Sequence, residues 1–148
     1  MLLSLLFGCS PFEGTWVFYL DAEPTVSGDC AEEDDDDSTY ESNRGTLVDI
    51  YALASSGYAV VLDEVLTGEA GGGALHAEWL EEYTEGSTTR SNFLTLDATL
   101  EGGAMLGEVS SGSWRESDNG SDYSCESSYG FTADRITSSR DSYVGGSE

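Results

Sequence analysis

Lysine is absent from this sequence, and five arginines face 29 aspartates and glutamates, a formal net charge of -24 over 148 residues. Phosphate neutralisation needs a basic stripe, so this deficit excludes nucleic-acid binding and adhesion to anionic lipid headgroups through a basic surface. Histidine occurs once, at His76, and neither a Gly-x-Ser-x-Gly elbow nor a His-Glu-x-x-His pair is present. The glycine-rich stretch 68–73 is not followed by Lys-Ser/Thr, which removes a phosphate cradle from consideration and leaves a hairpin tip. Long apolar runs are also missing: the longest, Leu2 to Phe7, falls far short of the ~20 residues that cross a membrane as a helix.

What is present is a folding sequence. Hydrophobic residues make up 39% of the chain, with three Trp, eight Tyr and five Phe, too many for a disordered acidic tail. The length suits one domain with one core. Its acidic surface repels itself, is relieved by salt or divalent cations, and favours solubility.

The amino-terminal run ends in Leu6-Phe7-Gly8-Cys9 and is followed by the polar, non-helical Ser10-Pro11. This resembles the lipobox of bacterial lipoproteins, in which a Leu, a tolerant position, a small residue and a Cys precede lipid attachment. The resemblance implies a signal peptide over 1–8, acylation of Cys9, and a short anchor and tether over 9–13. It also implies a membrane partner reached through the lipid, with the domain facing the periplasm or the exterior, at the outer membrane where the cell has one. Multiple acyl chains give a stable anchor, because each buried methylene contributes ~0.8 kcal/mol. The alternative for this run is a buried strand. With Cys9 set aside, Cys30 and Cys125 form an even pair, and in an oxidising compartment a single disulfide is the default over buried thiols or metal ligands. Closing so long a loop contributes roughly 4 kcal/mol in the chain-entropy model.

From Phe12 onward the pattern is all-β. Stretches of alternating polarity cover 14–21, 45–54, 58–67, 74–84, 92–101, 104–115 and 123–136, seven strands, or eight if the last breaks near Gly130. Between them lie hairpin-length turns, and a long acidic excursion occupies 22–43. The expected architecture is a single antiparallel up-and-down meander over 14–137, closed or partly closed into a barrel, with a sandwich as the alternative and a polar tail over 138–148. The stretch 77–85 also admits a short amphipathic helix. A disulfide between Cys30 and Cys125 would tie the segment after the first strand to the last strand, the two elements that closure makes adjacent.

The opening Phe12-x-Gly14-x-Trp16 resembles the first-strand Gly-x-Trp signature of the lipocalin and calycin barrels. In that family the Trp closes the barrel floor beneath an Arg from the last strand, so the resemblance implies a barrel-closing set of Gly14, Trp16 and Arg135. The likeness bears on architecture; the apolar face itself, with Trp79, Tyr83, Leu94, Leu96 and Phe131, could line a cavity for a small apolar ligand, as in a lipocalin-like carrier, or could interdigitate as a solid core.

The acidic run Asp34, Asp35, Asp36 and Asp37 suits Ca²⁺, a hard cation that takes six to eight oxygen ligands, but it lacks the spacing and glycine of an EF-hand and reads first as a solvated loop. Asp118, Asn119 and Asp122 read first as turn formers. No cofactor and no catalytic residue is expected. Three functions remain: a non-enzymatic structural or interaction module with an envelope protein as partner, the carrier, and last an envelope hydrolase.

Overall fold

The computed structural model describes residues 10–21, 23–32, 45–53 and 57–137. The strands are β1 (Gly14–Leu20), β2 (Thr25–Gly28), β3 (Thr46–Ala52), β4 (Gly57–Val61), β5 (Val65–Gly71), β6 (Ala74–Glu85), β7 (Thr88–Glu101), β8 (Ala104–Ser117) and β9 (Tyr123–Thr137). One 3-10 turn, Asp29–Glu32, follows β2. The expected meander is therefore present, without an α-helix among the described residues. The stretch 77–85, ambiguous by pattern, is strand.

Each strand from β3 to β9 pairs antiparallel with the next, β1 pairs with β3, and β9 returns to β1, with Leu20 opposite Phe131 and Thr15 opposite Thr137. Eight strands thus close a barrel, and the sandwich is excluded. β9 is 15 residues long. Its second half closes on β1 while its first half carries β2 as a ninth strand, Thr25 opposite Ser128 through Gly28 opposite Cys125.

Alternation explains the core. In β1, Trp16 and Phe18 face inward; in β7, Leu96 and Ala98 do so; in β9, Phe131 and Ala133. They meet Val48, Ile50, Val60, Leu66, Leu75, Ala77 and Met105 in one continuous cluster. Burial at ~25 cal/mol per Å² of apolar surface makes this cluster the main favourable term in folding. Two glycines let the sheet curl around it. A Cβ on Gly68 would strike the backbone of His76 and Ala77, and one on Gly107 would strike the Asp97 carbonyl and lie 2.9 Å from the Ala98 Cα. Strands cross that closely only where a side chain is missing.

Several boundaries differ from the pattern. The expected strand 58–67 is two strands joined at Leu62, Asp63 and Glu64, because an unbroken alternation from Tyr58 and Val60 would have pointed Glu64 into the core. That reversal supplies the eighth strand; β9 does not break at Gly130. The stretch 68–73 is not all hairpin tip, since β5 continues to Gly71 and only Gly72 and Gly73 form the turn. Within the excursion 22–43, β2 was not expected: its Thr-Val-Ser-Gly is exposed on both faces and pairs only through its backbone, so it leaves no alternation to read. Residues 10–13, expected as a tether, are packed against the barrel, with Phe12 fully buried. Cys9, residues 1–8, Asp34 to Asp37 and the tail 138–148 lie outside the described residues.

The strands are unequal. β6 to β9 run 12 to 15 residues, whereas β1, β3, β4 and β5 run five to seven. Core residues on the long strands cluster near the 72–73 and 102–103 turns; their opposite halves contribute one fully buried side chain, Ser91. The excess length is a four-stranded slab projecting past the core, with β2 along its edge.

Substituting Gly107→Ala should cost about 1–3 kcal/mol, because a methyl must displace backbone and not a flexible side chain. The expected reading is a lower urea midpoint with an unchanged m-value.

Candidate functional site

The closed end of the barrel is built from the first and last strands. Trp16 is completely buried and donates from Nε1 to the Phe12 carbonyl at 2.9 Å. Phe12 meets Tyr58 edge-on with ring centroids 6.0 Å apart, and the Ser10 and Tyr58 hydroxyls are hydrogen-bonded. Arg135, the register partner of Trp16 on β9, sets its guanidinium 4.6 Å from the indole and donates to the Pro11 carbonyl. Gly14 lies buried opposite Ile50 at the start of β1. Such a cation over a Trp face contributes ~0.5–2 kcal/mol.

Above this floor the interior is filled. Phe18 and Phe131 stack at 4.3 Å and 14°, and Leu96 and Met105 are fully buried beside them. Of the expected lining residues, Leu96 and Phe131 are core, and Trp79 and Leu94 pack partly buried against it. Tyr83 departs from expectation: it is 45% exposed, because β6 has left the barrel by that point and nothing faces it across the interior. Among the described residues, hollows of about 730, 240 and 150 Å³ open on the outer surface and the slab, and none of these is lined by Trp16, Phe18, Leu96 or Phe131. These side chains pack against one another in the one buried cluster.

The polar groups inside the fold are consumed structurally. Thr15 donates to Asp49 at 2.6 Å and Ser91 donates to Glu82 at 3.2 Å. Every buried side-chain polar atom among the described residues has a hydrogen-bond partner. Cys30 and Cys125 are joined in a disulfide with Cα atoms 5.2 Å apart, which pins the 3-10 turn to the first half of β9. Asp29 reinforces it by accepting from the Ser124 backbone N–H at 2.6 Å. Asn119 and Asp122 accept from the Ser121 and Ser117 backbone N–H groups, as turn formers do. Among the described residues no group of three His, Cys, Asp or Glu side chains could hold a metal ion.

The hollow of about 730 Å³ is a saddle on the outer face, lined by Gly107 and lying beside the close strand approach at Gly68. A cross-strand row traverses it, Glu69 opposite His76, His76 opposite Asp97, and Asp97 opposite Glu108. His76 Nδ1 lies 2.6 Å from Asp97 Oδ1, and Nε2 lies 3.9 Å from Glu78. The hydrogen bond to Asp97, followed by the nearby carboxylate charges, raises the imidazole pKa above its ordinary 6.5. The sequence places His76 outward beside Glu78, two residues on; its closer partner Asp97 is 21 residues away and emerges only from the β6–β7 register. This arrangement can take up and release a proton, but no nucleophile among the described residues hydrogen-bonds the ring.

Compared with family models, with curated proteins and with solved structures, the chain matches none. Among the described residues no helix is long and apolar enough to cross a membrane. The class that fold and surface define is therefore a closed, disulfide-linked antiparallel barrel with a packed core.

Because the folded pKa of His76 lies above the unfolded value, its protonated form stabilises the fold fully below pH 6.5, and that contribution is lost as pH rises through the raised value. Replacing Asp97→Asn should bring the imidazole midpoint down toward 6.5, measured from the ring Cε1–H shift against pH. A midpoint unchanged by the substitution would show that Asp97 does not hold the ring.

Proposed function

We propose that this chain is a lipid-anchored, extracytoplasmic β module that binds a partner through its outer surface and is not an enzyme. The observation that carries the reading is the filled interior, with Trp16, Leu96, Met105 and the stacked Phe18 and Phe131 leaving recognition to the outside. The Cys30–Cys125 disulfide fits an oxidising compartment. The lipobox-like Leu6-Phe7-Gly8-Cys9 supplies the anchor in this reading, and its geometry is consistent. Cys9 precedes Ser10 directly, and Ser10 is hydrogen-bonded to Tyr58 at the closed floor. Acyl chains on Cys9 would thus hold the floor toward a bilayer and leave the β6–β9 slab at the opposite end, facing outward.

Arg135 and Tyr123 stand twelve residues apart on β9, roughly 40 Å of strand at ~3.3 Å per residue, so slab and floor are well separated. A partner in the envelope or beyond it would meet the slab first.

Native mass spectrometry of residues 10–148, produced in an oxidising compartment and purified without detergent, tests this. The expected result is a clean apo mass, two hydrogens short for the disulfide. A reproducible extra mass of a few hundred daltons, released on denaturation, would overturn it in favour of the apolar-ligand carrier. For the anchor, labelled fatty acid fed to expressing cells should enter the full chain and be lost in Cys9→Ser.

A further inference from the structure

The slab carries an arrangement that the barrel does not need. On the face continuous with the barrel interior, four register partners line up across four strands: Tyr83 on β6, Arg90 on β7, Arg115 on β8 and Tyr123 on β9. The adjacent row holds Glu81, Asn92 and Ser113, and the row on the other side Glu85, Thr88 and Ser117, so Glu81 and Glu85 lie diagonal to Arg90 on this face without an ion pair to it. The four row partners, with Asn92 and Ser113, line a surface hollow of about 240 Å³.

Two of the five cations of a -24 chain are therefore set directly opposite each other. Like charges in directly opposed positions destabilise a sheet, and carboxylates are abundant enough to have paired with either. Yet neither guanidinium has an ion pair among the described residues, whose only close pairs involve His76. Arg115 spends one donor, Nε, on the Ser121 carbonyl at 3.3 Å and rests 5.9 Å from the Tyr123 ring centre. Arg90 makes no side-chain hydrogen bond among the described residues. Each guanidinium offers five donors in a rigid fork matched to a carboxylate, so most of this capacity points at solvent.

We propose that Arg90 and Arg115 form a carboxylate-binding site for an acidic sugar, a pyranose ring bearing one carboxylate. Three features select that class. The paired forks take the carboxylate. Tyr83 and Tyr123 stand at the two ends of the row as flat surfaces for a ring, and Asn92 and Ser113 offer an amide and a hydroxyl to sugar hydroxyls. The hollow has room for one ring. The surrounding negative field acts as a filter: a densely charged polyanion is repelled by the many carboxylates outside the hollow, whereas one charge on an otherwise neutral body reaches the guanidiniums within a Debye length, ~10 Å at 0.1 M salt. The site rests on the reading that recognition lies outside the barrel. It makes that reading specific, because the slab is the end turned away from the proposed anchor.

The test is an NMR titration of the disulfide-bonded 10–148 domain with glucuronate, following the arginine Nε–H and tyrosine ring signals. Saturable shifts confined to Arg90, Arg115, Tyr83 and Tyr123 are expected, with glucose at equal concentration producing none. Arg90→Gln should weaken binding at least tenfold without lowering the thermal midpoint, since it removes a like-charge opposition and no hydrogen bond or ion pair among the described residues; Arg90→Lys should restore only part of the affinity, having the charge without the fork. Shifts that grow linearly without saturating, or that spread evenly over the barrel, would overturn the site. Equal or tighter saturation by a blocked glutamyl peptide would overturn the sugar assignment in favour of an acidic protein partner. Failure of the titration with a clean apo mass would remove this site alone, whereas a ligand carried inside the barrel would remove the reading beneath it.

Discussion

The return of β9 onto β1 is the contact on which the remaining structure depends. An open eight-stranded sheet with one apolar face would expose both edges and half its core, and only closure removes the edges. Here closure is made by residues more than a hundred positions apart, with Phe18 stacking on Phe131 and Trp16 set beneath Arg135. The disulfide works on the same strand, fixing its first half to the segment that follows β1. β9 is thus held twice, by packing at the floor and covalently at the slab. A strand of 15 residues can serve both because its two halves face different partners.

Closure around bulky side chains also determines where chemistry can occur. A barrel of about eight strands either encloses one small ligand or is filled by its own side chains. Trp16, Phe12, Phe18, Ile50 and Met105 fill this one. Outside that core the sheet itself makes two polar surfaces. One is the saddle that Gly68 and Gly107 permit, crossed by the His76 row. The other is the slab created where four strands outrun the core. Both are products of strand geometry, and neither has a loop as its main component.

The two surfaces differ in charge logic. At the saddle an imidazole sits among carboxylates, with Glu69 on β5, Glu78 on β6, Asp97 on β7 and Glu108 on β8, and the field favours its protonated form. At the slab two guanidiniums oppose each other with their donors unspent. Against a background of -24, the slab pair is the local exception, and an exception maintained against repulsion has a physical cost that a bound anion would offset.

Much of the architecture was legible from local pattern. Alternation in 92–101 and 123–136 identified inward and outward faces because the side-chain period of a strand is two, independent of partners. Hairpin-length turns made neighbours antiparallel, and an even cysteine pair pointed to the disulfide. What the pattern missed lacked alternation or depended on length. β2 is exposed on both faces, the reversal at Leu62 to Glu64 sits inside an apolar stretch, and Tyr83 continues the inward set of β6 after the barrel has ended.

The chemistry was less legible. His76 with Asp97, and Tyr83, Arg90, Arg115 and Tyr123, belong to different strands with no motif linking them. Sequence by itself determined that this chain folds as one acidic antiparallel sheet with a wet and an apolar face, since those properties reside in composition and in neighbours one or two residues apart. Tertiary structure alone decided that the sheet closes, which side chains meet in its core, and which charges meet, since register across strands is set by the packing of the whole core and not by any segment read alone.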